Sequence, residues 1–279
     1  MTQTGEMVRP PRPRRDTEEA KYLYCIIKCD RERDFQGAQA IGVRGDHVHT
    51  VVSRDLAAVV SDSPDMKYDT TRANMMAHQM VIERVMNEGF TVLPIRFGTV
   101  TKPGTTTPVE DIRHKLLDRK SEEFEELYRQ MDGRVELGLK ALWRDEKAIF
   151  EELVAENRAI RTARGALLPR MSRPAETTRF DRMRLGEMVK AALDRKREKE
   201  AKNLLARVAP LAERVQENKI IMDKMVLNAA FLVDKDQEGA FDEAVAALNE
   251  DLGERMALKY TGPVPPFNFC EIVVTWEEE

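Results

Sequence analysis

Between Asn74 and Val100 the chain reads NMMAHQMVIERVMNEGFTVLPIRFGTV. Met75, His78, Gln79, Ile82, Val85 and Met86 recur at helical spacing and are expected to share one buried face. Gly89 is the stop, since glycine takes the positive φ at which helices commonly end. Phe90 to Phe97 then has the composition of a buried strand, and Gly98-Thr99 turns the chain. Pro94 lies inside that run. Proline has no N–H to give to a ladder, so the strand is expected at a sheet edge or at a bend. Arg96 interrupts an apolar run and needs an acidic partner, for which Glu83 is the candidate.

Upstream, Lys21 to Cys29 (KYLYCIIKC) is rich in β-formers and predicts the first strand. Val48 to Ser53 and Leu56 to Val60 predict two strands around a turn at Arg54-Asp55. Thr70 or Thr71 is placed to cap the helix that carries His78. Downstream, Pro108 opens a helix whose apolar positions continue to about Gln130, and Gly133 closes it. A domain boundary falls there. Arg134 to Trp143 (RVELGLKALW) alternates like a half-buried strand. Asp145 caps a helix to about Ala163, and Arg164 to Thr178 reads as a basic loop. Phe180 to Asn218 is helical again, kinked before Pro210. Met225 to Val233 has the length of a strand. Phe241, Val245 and Leu248 mark a helix that Gly253 ends. Arg255 to Tyr260 is a further strand, TGPVPP is rigid and extended, and Phe267 to Val274 forms a last edge. Strand, helix, strand occurs in both halves, so the fold class is α+β. It comprises a disordered leader over 1–19, an α+β domain over 20–132, and a second α+β domain over 133–279 with a charged helical arm at about 144–219.

A length of 279 residues suits two medium domains. A charged fraction of 34% beside a hydrophobic fraction of 42% describes a well-solvated, helix-rich chain with enough apolar content for a core. The net charge of −4 hides an asymmetry. From Asn157 to Lys219 there are 17 Lys/Arg against 8 Asp/Glu, and from Ile220 to Glu279 there are 4 against 13. Such stretches complement each other or face partners of opposite charge. Cys25 and Cys29 on one strand lie about 13 Å apart, too far to bridge. The chain reads as reduced and cytoplasmic. No apolar run approaches the ~20 residues of a membrane span, and no secretory signal is visible.

No catalytic constellation emerges: there is no nucleophile elbow, zinc spacing, phosphate-cradling glycine loop or acidic metal cluster. No cofactor or metal is expected. His47 and His49 fall on one face of a strand but lack a third ligand, so surface histidines are the favoured reading. His78 lies on an apolar helix face, where a hydrogen-bonded core histidine outweighs a general base. Glu83 stands about 140° round the helix from it. The basic run DRKREKEAK at Asp194 to Lys202 is broken by Glu198 and Glu200 and has no aromatic interleaved. That favours a solvated arm over nucleic-acid binding.

Two separated segments carry a resemblance. The helix with His78 and Glu83 followed by LPIRFGTV, and LNAAFLV at Leu227 to Val233 followed by Phe241 and TGPVPPFNF at Thr261 to Phe269, resemble the gas vesicle accessory proteins of the GvpF/GvpL family. Val264 and Phe267 stand where that family's pattern suggests tryptophan and tyrosine. The resemblance implies an α+β N-terminal domain joined to a modified ferredoxin-like domain with a helical extension. It also implies an accessory or minor structural role in gas vesicle assembly, in contact with the hydrophobic shell protein and other accessory proteins, and not an enzyme. The motif residues it marks as partner-binding candidates are Pro94, Arg96, Phe97, Gly98, Gly262, Pro263, Pro265, Pro266, Phe267 and Phe269. The proline-bearing edges are the expected contact surfaces. The alternative is a ligand-binding or enzymatic α+β protein with a pocket near His78 and Arg96.

Overall fold

In a computed structural model, the described residues are 19–42, 47–102, 106–170, 172 and 175–276. The expected leader lies outside them except for Glu19. The chain divides into two compact units. One comprises the described residues up to Asp132 together with those from Cys270 onward, and the other is Gly133–Phe269. The sequence reading carried the second domain to the C-terminus. The chain instead returns to the first unit for its last residues.

In the first unit, β1 (Ala20–Lys28), β2 (His49–Ser53), β3 (Leu56–Ser63) and β4 (Leu93–Pro94) form an antiparallel sheet in the order β2-β3-β1-β4. Arg54 takes φ of 56° in the β2–β3 turn. β1 is central, which is why almost every side chain in it is buried, Tyr22 and Tyr24 included. Helix α1 (Arg72–Asn87) starts at Thr71, whose Oγ1 accepts from Asn74 N–H at 3.2 Å. Gly89 at φ 94° ends it. The core face of α1 is His78, Val81, Ile82 and Val85. Met75 and Gln79, expected on that face, point to solvent, because α1 buries a narrower stripe than the apolar spacing suggested. The helix expected from Pro108 to Gln130 is interrupted. A short α2 (Pro108–Glu110) runs into a π-helical stretch, Asp111–Asp118, before α3 (Ser121–Met131).

In the second unit, β5 (Arg134–Trp143), β6 (Arg214–Glu217), β7 (Met225–Asp234) and β8 (Met256–Val264) form an antiparallel sheet in the order β6-β7-β5-β8. With α7 (Glu238–Leu252) crossing from β7 to β8, this is the βαββαβ topology of a ferredoxin-like sheet. It is modified because three helices, α4 (Glu146–Glu156), α5 (Arg158–Leu167) and α6 (Ala175–Val208), replace the first crossover helix. β5 is a central strand, flanked by β7 and β8, so it is more buried than its alternation predicted. Asn157 splits the helix expected over 145–163. Its Oδ1 accepts from Ala159 N–H at 3.2 Å and Ile160 N–H at 3.3 Å and so caps α5. The basic loop expected after Arg164 is in part the end of α5. Pro210 does not kink a continuing helix but ends it, and Arg214 to Glu217, read as helix, is an exposed edge strand.

The core of this unit brings Leu137, Leu139 and Trp143 of β5 together with Phe231 of β7, Phe241 and Leu248 of α7, and Leu204 and Val208 of α6. The arm has a smaller apolar cluster of its own, Leu153, Val154, Ile160 and Ala192. Charges tie α6 down. Arg255 donates to Glu152 at 2.6 and 2.9 Å and to Glu200 at 2.7 Å, and Trp143 Nε1 donates to Glu200 at 2.6 Å. The Arg255 bonds, with Lys196 3.0 Å from Glu152, hold the Glu152 carboxyl well below its usual range, at about 2. The run read as a solvated arm is therefore solvated on one side only.

Candidate functional site

The first motif closes around His78. The imidazole is buried, with Nε2 3.1 Å from the Ile95 carbonyl and Nδ1 3.0 Å from the Tyr22 hydroxyl. The carbonyl can only accept, so Nε2 carries the proton and Nδ1 accepts from Tyr22 O–H. The Tyr22 oxygen in turn accepts from Gly98 N–H at 2.9 Å. Rings enclose the imidazole: Tyr24 stacks on it at 5.7 Å, and Tyr22 and Phe97 meet it edge-on at 5.7 Å each. Burial pushes the His78 pKa down to about 4, so it is neutral at pH 7. Both nitrogens are occupied and the surroundings are aromatic. This is a core histidine that fixes the strand and the Gly98 turn, not a general base.

Pro94 is buried in β4, opposite Cys25 of β1. Ile95 N–H donates inward to Tyr24 C=O at 2.9 Å. On the outer side Ile272 N–H donates to Pro94 C=O at 2.8 Å, and Arg96 N–H donates to Ile272 C=O at 2.9 Å. The N–H that proline lacks falls on that outer side, next to a single bridge and not a full ladder. The expected strand Phe90–Phe97 thus shrinks to two ladder residues. The two edges expected to be open, Phe90–Phe97 and Phe267–Val274, cover each other through Ile272. Arg96 is exposed and pairs with Glu271 at 3.2 Å. Its expected partner Glu83 accepts from Gln79 instead, at 2.7 Å.

The second motif is built against β5. Gly262 has φ of 140°, and a Cβ there would stand 2.7 Å from Leu137 Cδ2 and 3.0 Å from the Glu136 carbonyl oxygen. Only glycine permits that approach. Glu136 is buried, and its carboxylate accepts from Asn268 N–H at 2.8 Å and from Asn268 Nδ2 at 2.5 Å. Burial pushes its pKa up, and the Asn268 bonds pull it part of the way back. Pro265 and Pro266 are buried, Phe267 and Phe269 half-buried, and Gly262 and Pro263 exposed. The Arg214 guanidinium lies 5.3 Å over the Phe269 ring.

Among the described residues, cavities open elsewhere. One of about 500 Å³ lies beside Arg54 and Asp118, one of about 610 Å³ between α5 and α6, and one of about 280 Å³ at Phe35 to Ala40. None is lined by His78 or Arg96. Among the described residues, no group of three His, Cys, Asp or Glu could hold a metal, and no helix is long and apolar enough to cross a membrane.

The sequence reading missed the exposed apolar surface. Met75, Met76 and Met80 of α1 are 50%, 48% and 57% exposed, and Met76 and Met80 lie on the face opposite His78. Met76 and Met80 are one turn apart among polar residues, and that spacing was the available signal.

The model for "Gas vesicle synthesis protein GvpL/GvpF" matches residues 20–271. The chain belongs to that family. Gas vesicle protein F of Streptomyces sp. is 29% identical over 251 residues, covering 90% of this chain and 99% of the relative. Gas vesicle protein F of Nostoc sp. is 25% identical over 83% of this chain and 91% of its own, and gas vesicle protein L1 of Halobacterium salinarum is 26% identical over 92% of each. Crystal structures of GvpF from Anabaena sp. and from Microcystis aeruginosa superpose with TM-scores of 0.73 and 0.71, each at 24% identity. They cover 94% and 90% of this chain, and the likeness extends over essentially all of each solved chain. This family member therefore has a role in gas vesicle formation, and its family is not a known class of enzyme.

Proposed function

We propose that this protein is an assembly accessory that holds the hydrophobic shell protein before it enters the vesicle wall, working in the cytoplasm at the growing vesicle alongside other accessory proteins. The observation that carries this reading is the exposed methionine face of α1. Methionine side chains are apolar and conformationally adaptable, so such a face accepts varied apolar partners without a preformed pocket. A shell subunit has to present apolar surface before it assembles, and uncovered surface of that kind aggregates. The motif segments then divide by exposure. Pro94, Pro265 and Pro266 act through the fold. Arg96, Gly262 and Pro263, with the half-exposed Phe97, Gly98, Phe267 and Phe269, are the members left to touch a partner.

The test is co-expression with the shell protein and affinity capture at low and high salt, using wild type and Met76→Glu/Met80→Glu. Both positions are exposed, so the variant should unfold like wild type. Shell protein retained by wild type at high salt and lost from the variant supports the reading. Equal retention by both removes α1 from it.

A further inference from the structure

We infer that the groove between α5 and α6 is a docking site for an acidic amphipathic helix of a protein partner. The groove of about 610 Å³ has a floor of small side chains on α5, Ala159, Thr162 and Ala166. Leu185 and Met188 of α6 form its apolar wall. Positions 159, 162 and 166 are spaced by three and four residues, so they form one row along α5. Small side chains there let another helix approach closely. Phe180, 82% exposed, lies one turn before Arg184 and so on the same side of α6, an apolar side chain beside the groove-lining arginine.

Charge selects the occupant. Arg158 and Arg184 stand on the rim and have no carboxylate partner among the described residues. Arg170 is paired with Asp181 at 2.6 Å, so the rim is net positive. Arginine in this setting favours carboxylates, to which its guanidinium fork bonds in bidentate fashion. An apolar floor with charged walls matches a helix whose apolar stripe enters the groove and whose flanking Glu or Asp meet the arginines. Nucleic acid fits less well. The groove offers no aromatic platform inside it, and Asp181 on the rim opposes phosphate. This inference rests on the reading that the protein works by holding protein partners, but it concerns a surface distinct from α1.

The experiment uses the full chain and two labelled peptides read by fluorescence anisotropy. One carries a leucine stripe flanked by glutamates, and the other replaces each glutamate with lysine. The acidic peptide should bind at least about tenfold more tightly, a difference of ~1.4 kcal/mol. Arg158→Glu/Arg184→Glu should erase that preference. Ala166→Trp, at an exposed position, should fill the groove and abolish binding with an unchanged circular dichroism spectrum. Equal affinity for both peptides, or binding that survives Ala166→Trp, overturns the inference. So does a preference of the same groove for single-stranded DNA, for phosphatidylserine vesicles or for a second copy of the chain over the acidic peptide. Groove variants that bind no acidic peptide yet still capture the shell protein leave the α1 reading standing. Wild type that binds the peptide but captures no shell protein does the reverse.

Discussion

Lowering the pH should loosen the first unit through His78, and replacing His78 with glutamine should remove that sensitivity. The buried imidazole has a folded pKa of about 4 against an ordinary value of 6.5. A base with a depressed folded pKa binds more protons when unfolded. Its contribution to stability is therefore complete above pH 6.5 and drains away as pH falls towards 4. Between pH 7 and pH 5 the loss works out at roughly 2 kcal/mol, approaching roughly 3 kcal/mol below pH 4. Glutamine can donate to Ile95 C=O and accept from Tyr22 O–H, but it does not titrate. The assay is urea unfolding followed by Trp276 fluorescence in a Trp143→Phe background. Trp276 reports on this unit because its indole N–H donates to Val100 C=O at 2.8 Å. Wild type should lose about 2 kcal/mol more than His78→Gln between pH 7 and pH 5. Other titrating groups, the raised Glu136 among them, are common to both proteins and cancel in the difference. Parallel pH profiles would refute the claim that His78 is buried and neutral.

Gly262→Ala should destabilise the second unit by about 2–4 kcal/mol, from an unfavourable φ and the clash with Leu137 and Glu136; an unchanged unfolding midpoint would contradict the packing described. Arg96→Ala should cost no more than about 1 kcal/mol, because its pair with Glu271 is exposed on both sides, and swapping the two charges should be near neutral in thermal unfolding. Glu200→Ala should cost roughly 2–3 kcal/mol, since it strands the Trp143 N–H and one side of Arg255. Its measurable sign is faster proteolysis within α6 than in wild type.

Periodicity and punctuation made most of the elements legible. Thr71 and Asp145 act at helix starts through their side chains and Gly89 at a helix end through its backbone freedom, so a local reading reaches them. The apolar runs Lys21–Cys29 and Met225–Val233 became central strands for the same reason. Errors arose where the deciding partner was distant in sequence. Four exposed residues, Arg214 to Glu217, carry no strand pattern and are extended only because β7 offers them its edge. Asn157, a polar residue inside an apparent helix, became a cap and divided α4 from α5.

By itself the chain determined that it folds as two α+β units, where some of its helices begin or stop, and that it carries no recognisable catalytic spacing. Those properties depend on side-chain shape, backbone freedom and residue type, all of which are local. Tertiary structure alone decided that β4 is covered by Ile272, that Arg96 meets Glu271 and not Glu83, and that both His78 nitrogens are occupied. Each depends on which residue of a remote segment arrives at a given atom, and the spacing of residues along a chain does not specify that.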